Sequence, residues 1–474
     1  MGLPSVGARR PCWLASAGLL AALTVAAYSP VAAQQQSCDL GGNPRLLNQQ
    51  GSLLFISGRF RVTCTDGVVV EADSAVNLQD LREWYLIGDV HYMDQEKTLT
   101  AGWVHYQTAQ RYLQGRDDVV VSDQQTGSLV RGEQLQYFRQ SPERDTARVL
   151  VGGGRPHAEL RDRTEPGALP DTSAPTLVDA NVIELIGDDA FRAFGDVELT
   201  RGEIHGTGAE AHYDGVTNRL VLIRDAAVEG EGYDLSADQI EAELTDADRI
   251  EQVRALGHGH LISGEADLRA PELRVFFADG VAQRLIALGA ARTTAAADSI
   301  GQAILTSQAL RLVGDSIDAT AADQRLDSLY AVGAAYGEQL ADSVPADLPA
   351  VLHRDWARGD TIRAYFTAVV DSIASAAADS VVTRTTVERM IVAAATEDEP
   401  AQTVYRAREA DSPAAEPPSI NYMLAMRIEI LLRDGQVSSV RAEGPVQGLQ
   451  LQPMTTGNGV PADTTSRRPG RGSR

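Results

Sequence analysis

One spacing recurs along this chain and limits what it can fold into. Apolar or small residues fall at the first, third, sixth and eighth positions of an eight-residue stretch, as in Leu99, Ala101, Val104 and Tyr106. The third position is usually Ala or Gly. Positions one and three share one strand parity and positions six and eight the other, so a flat strand cannot bury all four on one face. One extra residue has to intervene, and a β-bulge or sharp corner beside the small third residue supplies it. The spacing therefore encodes bent strands.

The same template fits Val70, Ala72 and Ala75, with Asn77 breaking the last position, and then Val130, Gly132, Leu135 and Tyr137. It returns at Val178, Ala180, Ile183 and Leu185, at Gly206, Gly208, Ala211 and Tyr213, and at Leu235, Ala237, Ile240 and Ala242. Leu268, Ala270, Leu273 and Val275 follow, then Leu305, Ser307, Leu310 and Leu312. Ala357, Gly359, Ile362 and Ala364, and finally Met423, Ala425, Ile428 and Ile430, complete about ten copies. Starts lie about 28 to 37 residues apart where nothing intervenes, which is a repeat and not chance.

Each copy tends to lead into a second apolar run ending on Gly, such as Tyr112 to Gly115, Leu285 to Gly289 and Tyr330 to Gly333, so the unit is two strands. Asp66-Gly67, Asp214-Gly215, Asp279-Gly280 and Asp434-Gly435 mark tight turns between runs. Helical periodicity competes only in Ala-rich stretches near Ile373 to Ala378 and Met390 to Ala395. The expected class is all-β.

The N-terminus carries Arg9 and Arg10, an apolar stretch from Trp13 to about Ala27, and Val31-Ala32-Ala33 before three glutamines. These are the parts of a secretory signal, with cleavage expected after Ala33 and export from the cytoplasm; a retained membrane anchor is the alternative. Removing Cys12 leaves Cys38 and Cys64 as an even pair in a compartment where disulfides persist. They are expected to bridge; two separate thiols are the alternative. A net charge of −23 and a pI near 4.7 argue against nucleic acid or an anionic membrane surface as the main partner. Only the tail, with Arg467, Arg468, Arg471 and Arg474, is basic.

Enzyme and metal signals are weak. His258-Gly-His260 offers two ligands where a site needs more, with Glu251 and Glu265 the nearest acids in sequence. Gly152-Gly153-Gly154 lacks the Lys and hydroxyl residue of a phosphate loop and reads as a flexible turn. The expectation is no catalysis, no metal and no cofactor. Aromatic residues make up only 5% of the chain, too few for the girdles of an outer-membrane barrel.

Four stretches carry a family resemblance: Leu99 to Tyr106; Phe194-Gly-Asp-Val197 with His205 to Tyr213; Trp356 to Asp360 with Ile362 to Ala364; and Gly444-Pro-Val446-Gln-Gly448 to Pro453. Together they resemble the OstA-like family of lipopolysaccharide transport, which includes the periplasmic bridge protein LptA and the N-terminal domain of LptD. The resemblance covers most of Leu53 to Pro453, and it implies a twisted, partly open β-jellyroll. It further implies that acyl chains of lipopolysaccharide or a related glycolipid lie along the concave face, and that similar transport components join through edge strands. The chain departs from the family in being about twice the length of a small bridge domain and in carrying insertions between Gly337 and Pro418.

The expected organisation is a signal at 1–33, a first β-jellyroll segment at 34–160, a loop at 161–176 and a second segment at 177–337. An inserted region at 338–418, C-terminal strands at 419–455 and a basic tail at 456–474 follow. The repeats form one unit or two in tandem. Strand parity nominates Leu99, Ala101, Val104, Tyr106, Leu135, Tyr137, Ile183, Leu235, Ile240 and Leu273 as lining for lipid tails. The competing expectation is a structural or adhesive β-repeat protein of the cell envelope whose core is filled.

Overall fold

The computed structural model describes residues 38–161, 175–290, 301–340, 349, 352–407 and 418–452, without 203, 231, 246–248, 265, 308–309, 323–324, 376–377 and 434–435. The expected export signal, nearly all of the Arg161 to Ala174 loop and the basic tail lie outside the described residues.

The period-two pattern forms strands along the whole described chain. The first are β1 (Cys38–Gly42), β2 (Leu46–Gln50), β3 (Leu53–Cys64), β4 (Val69–Leu78), β5 (Glu83–Met93), β6 (Lys97–Gln107), β7 (Tyr112–Asp123), β8 (Leu129–Phe138), β9 (Arg148–Gly152) and β10 (His157–Leu160). Next come β11 (Thr176–Asp179), β12 (Val182–Ile186), β13 (Ala190–Arg201), β14 (Ile204–Asp214), β15 (Arg219–Gly230), β16 (Tyr233–Leu244), β17 (Ile250–Ser263), β18 (Ala266–Ala278), β19 (Val281–Leu288) and β20 (Ala303–Thr306). The last are β21 (Leu310–Gly314), β22 (Ser316–Ala322), β23 (Arg325–Gln339), β24 (Trp356–Ser375), β25 (Ala378–Ala393), β26 (Ala401–Ala407), β27 (Ser419–Ala425), β28 (Arg427–Arg433), β29 (Gln436–Glu443) and β30 (Gln447–Leu451).

Most of the long strands turn a corner and so belong to two walls. In β6, Leu99 and Ala101 are buried in the first wall, Gly102 and Trp103 sit at the corner, and Val104 and Tyr106 are buried in the second. Its neighbour β7 slips register at the same level, between Arg116 and Val119, where Asp117 and Asp118 have φ of 66° and 51°. Paired left-handed residues recur at Gly88-Asp89, Gly195-Asp196, Arg224-Asp225, Gly257-His258 and Gly333-Ala334. This conformation is uncommon outside Gly, Asn and Asp, which accounts for the Gly and Asp in these pairs; Arg224, His258 and Ala334 adopt it against that preference. The parity break inferred from the template strand is therefore matched by a bulge in its partner, and stacked bulges form the fold's spine.

Pairing is antiparallel throughout. The first wall runs β1, β3 to β8, β10, β11, β13 to β18, β20, β21, β23, β24, β26, β27 and β30. The second runs β2 to β9, β12 to β19, β22 to β25, β28 and β29. One apolar core, from Ile56 to Ile430, fills the space between them. The result is an all-β, jellyroll-like stack of bent hairpins. Cys38 and Cys64 face each other in the β1–β3 ladder and are disulfide-bonded, with an S–S distance of 2.09 Å.

Two local expectations change. Leu305 and Leu312 lie opposite each other across the tight β20–β21 hairpin, where the Ser307 N–H donates to the Leu310 carbonyl at 2.8 Å. The bent copy there is Leu312, Gly314, Ile317 and Ala319, with Asp315 at the corner. A loose template matched the hairpin because a hairpin also brings apolar residues together at short range. Gly152-Gly153-Gly154 is a corner and not a flexible turn: Gly153 and Gly154 have φ of 76° and 61°, and a Cβ on Gly154 would lie 2.6 Å from a Glu133 carboxylate oxygen.

Candidate functional site

The ten nominated lining residues all lie on the inner faces. Leu99, Ala101 and Leu235 come from the first wall; Val104, Tyr106, Leu135, Tyr137, Ile183, Ile240 and Leu273 come from the second. Their exposures run from 0 to 6%, so solvent is excluded at every one of them and the walls meet as a closed core. Core composition changes along the stack. From β3 to β9 it holds Phe60, Tyr92, Tyr106 and Tyr137 beside Leu86, Leu99, Leu113 and Leu135. Beyond Phe191 no described aromatic side chain is fully buried, and alanines alternate with aliphatics, as in Ala226, Ala237, Ala255, Ala270 and Ala287.

The first part of the stack also carries a buried polar cluster where the walls meet opposite the corners. Asp66, Asp94 and Asp123 each begin a turn of the first wall, and each uses one carboxylate oxygen to cap that turn. Asp94 Oδ1 accepts from the Glu96 and Lys97 N–H groups at 3.0 and 2.9 Å, and Asp123 Oδ1 accepts from Gln125 and Thr126 at 2.7 and 2.8 Å. Asp66 Oδ1 does the same for Val68 at 3.3 Å.

The second oxygen of each points to a partner. Asp94 Oδ2 accepts from Tyr92 Oη at 3.0 Å within its own wall, and from Tyr137 Oη at 2.8 Å and Arg139 Nε at 3.1 Å in the opposite wall. Arg139 Nη1 reaches Asp66 Oδ2 at 3.0 Å. Lys97, 2% exposed, pairs with Asp123 and crosses to Asp188 Oδ1 at 2.9 Å. Four bonds thus tie wall to wall.

The electrostatics hold these groups in their bonding forms. Burial pulls the Lys97 ammonium down, but hydrogen bonds to Asp123 and Asp188 outweigh it and its pKa is raised. Burial pushes Asp123 up, and the bonds from Lys97 and from the Thr126 and Gln125 amides overcome this to leave it lowered. Burial and the Asp94 carboxylate drive the Tyr137 phenol far above its usual range, so it remains a donor.

This cluster escaped the sequence reading, although two signals mark it. Lys97 is the single lysine of the chain, among 42 basic residues. The turn-starting aspartates recur at the repeat spacing, at Asp66, Asp94 and Asp123.

The two histidines of His258-Gly-His260 pair separately with aspartates. His258 Nδ1 lies 2.9 Å from Asp238 and His260 Nε2 lies 3.2 Å from Asp267, both on neighbouring strands, and not beside Glu251. No group of three His, Cys, Asp or Glu able to hold a metal occurs among the described residues. A hollow of about 310 Å³ lies on the outer face of the first wall, lined by Leu352, Trp356, Val404, Ile420, Tyr422 and Leu449. A much smaller one, about 20 Å³, sits inside the N-terminal end against Cys64, Trp84 and Tyr106.

Among the described residues, both ends of the stack are open edges: β1 and β2 pair only with β3, β29 only with β28 and β30 only with β27. The end strands β1, β2 and β30 are exposed along their whole length. Leu40, Leu46 and Leu47 stand out at one end, and Val446, Leu449 and Leu451 at the other.

Comparison with solved structures finds LptH of Pseudomonas aeruginosa, described as the LptA-homologous periplasmic component of the conserved lipopolysaccharide transport device. It is 19% identical, with a TM-score of 0.18, and the match covers 34% of this chain and 83% of that one. No family model and no curated protein matches. At that TM-score the likeness by itself says nothing about what this chain binds.

Proposed function

We propose that the chain is a non-catalytic periplasmic carrier or bridge for lipopolysaccharide or a related glycolipid in outer-membrane assembly, holding acyl chains against the inner faces of its walls. The observation that carries this is a single apolar core between the two walls, running from Ile56 to Ile430. Lipid tails crossing water need unbroken apolar cover, since each buried methylene is worth about 0.8 kcal/mol.

The edges fit the same role. The chain runs from first wall to second in β1 and β2, and from second to first in β29 and β30, so the C-terminal edge of one such stack meets the N-terminal edge of another in antiparallel sense. Similar transport components would join there by β-augmentation. The expected export signal would deliver the chain to the compartment where such transport is needed.

Photo-crosslinking from Ile240 and Leu273 in intact cells, followed by probing for lipopolysaccharide, tests the proposal. Adducts from inward positions and none from outward ones are expected. Burial of all ten lining positions favours a second reading, an envelope scaffold with a permanently filled core. Absence of glycolipid adducts from every inward position would select it.

A further inference from the structure

We infer that acyl chains are held only in the stretch from β13 to β23, and that the stretch from β5 to β12 is a locked block they do not traverse. The inference rests on the carrier function proposed above and divides its inner face in two.

Admitting a lipid tail requires the walls to separate locally, and the two parts of the stack resist that differently. In the block, separation would pull Tyr137 and Arg139 from Asp94, Arg139 from Asp66 and Lys97 from Asp188. Each group would be left without its partner in a water-poor interface, which is far costlier than never having been paired. It would also expose Tyr92, Tyr106 and Tyr137, whose rings pack edge to face, with Tyr92 centred 5.7 Å from Tyr106 and 6.1 Å from Tyr137.

Beyond β13 the same motion exposes alanines and scattered aliphatics. Ion pairs there, such as Arg219–Glu241, Arg254–Glu272 and Arg284–Asp318, join neighbouring strands of one wall and survive separation of the two. Small side chains also have few contacts to lose, and an alkyl chain entering between them replaces those the walls give up. The block therefore acts as a stop, and tails enter and leave through the C-terminal part of the stack.

The full mature chain, irradiated with diazirine-bearing palmitate and mapped by peptide mass spectrometry, tests this without any substitution. At least tenfold more label is expected in peptides from β13 to β23 than in those from β5 to β12; equal labelling overturns the inference. Lys97 gives a separate readout, because it is the single lysine and it sits inside the lock. Its acylation by an amine-reactive ester should be at least a hundredfold slower than that of a free amine and unchanged by palmitate. Acceleration by palmitate would mean that the block opens, and would also overturn it. No label anywhere, with Lys97 still protected, would sink the carrier proposal and its acyl segment together while leaving the lock itself standing.

Discussion

Tyr137 in the second wall donates its hydroxyl to Asp94 in the first, 2.8 Å away, and the same carboxylate oxygen also accepts from Tyr92 and Arg139. Three donors converge on one oxygen, so the acceptor matters more than any single donor. Asp94→Ala should lower unfolding free energy by about 3 to 5 kcal/mol, since it takes one of two carboxylate partners from the buried Arg139 guanidinium and leaves two buried hydroxyls unpaired. Tyr137→Phe should lower it by only about 1 kcal/mol, because it removes one donor and leaves none unpaired. Urea midpoints at unchanged slope measure both; equal losses would contradict the convergent geometry.

The lock should also shape the pH profile. Asp123 has its folded pKa lowered from the ordinary 3.8, so its contribution is present above that value and is lost as pH falls through the lower folded value. Lys97 has its folded pKa raised from 10.5, so its contribution is present below 10.5 and is lost as pH rises through the higher folded value. Lys97→Met leaves Asp123 and Asp188 without their cation, so its stability deficit against the parent should be constant between these limits and shrink below about pH 3.8. Thermal melts at matched ionic strength across pH 2 to 8 check this, and a deficit independent of pH would mean the lysine acts by packing alone.

The corners make a sharper demand on sequence. A Cβ on Gly257 would lie 2.2 Å from an Asp238 carboxylate oxygen, and one on Gly333 2.2 Å from an Asp315 oxygen, at φ of 72° and 81°. Either Gly→Ala change should destabilise by about 1 to 3 kcal/mol from backbone strain and crowding. Gly232, also at positive φ but with no atom within 4 Å of its would-be Cβ, should lose less on the same change. Chemical denaturation of the three variants separates crowding from strain.

These three regions differ in how far the sequence betrays them. The bent strands were legible because burial at positions one, three, six and eight is a parity rule, and Leu99, Ala101, Val104 and Tyr106 obey it in the structure. The partner bulges were half legible: Gly88-Asp89 and Gly257-His258 stand in plain sight, but nothing local says that two residues oppose one until the strands are paired. The lock was not read at all. Its bonds join residues as far apart as Lys97 and Asp188, and contacts between walls leave no period along either strand. Only composition hinted at it, through one lysine kept where every other basic residue is arginine.

The disulfide should protect an edge and not the whole fold. It closes a separation of 26 residues, for which the loss of unfolded-chain entropy is worth about 3.5 kcal/mol. The strand it secures, β1, is exposed along its length and, among the described residues, pairs only with β3. Cys38→Ser with Cys64→Ser should therefore speed amide exchange in β1 and β2 and leave β16 and β17 unchanged. Faster exchange across all strands would show that the N-terminal edge nucleates the stack.

Finally, the N-terminal edge can be altered without touching the core. Leu46 and Leu47 are 57 and 56% exposed, so replacing both with Lys should change stability by no more than about 0.5 kcal/mol. If stacks join end to end, the change sets two desolvated cations against an apolar partner edge, and end-to-end association should fall at least tenfold. Sedimentation velocity across a concentration series reads that association. Loss of β2 amide protection in the variant would assign the effect to fraying, whereas intact protection with weakened association assigns it to the joint.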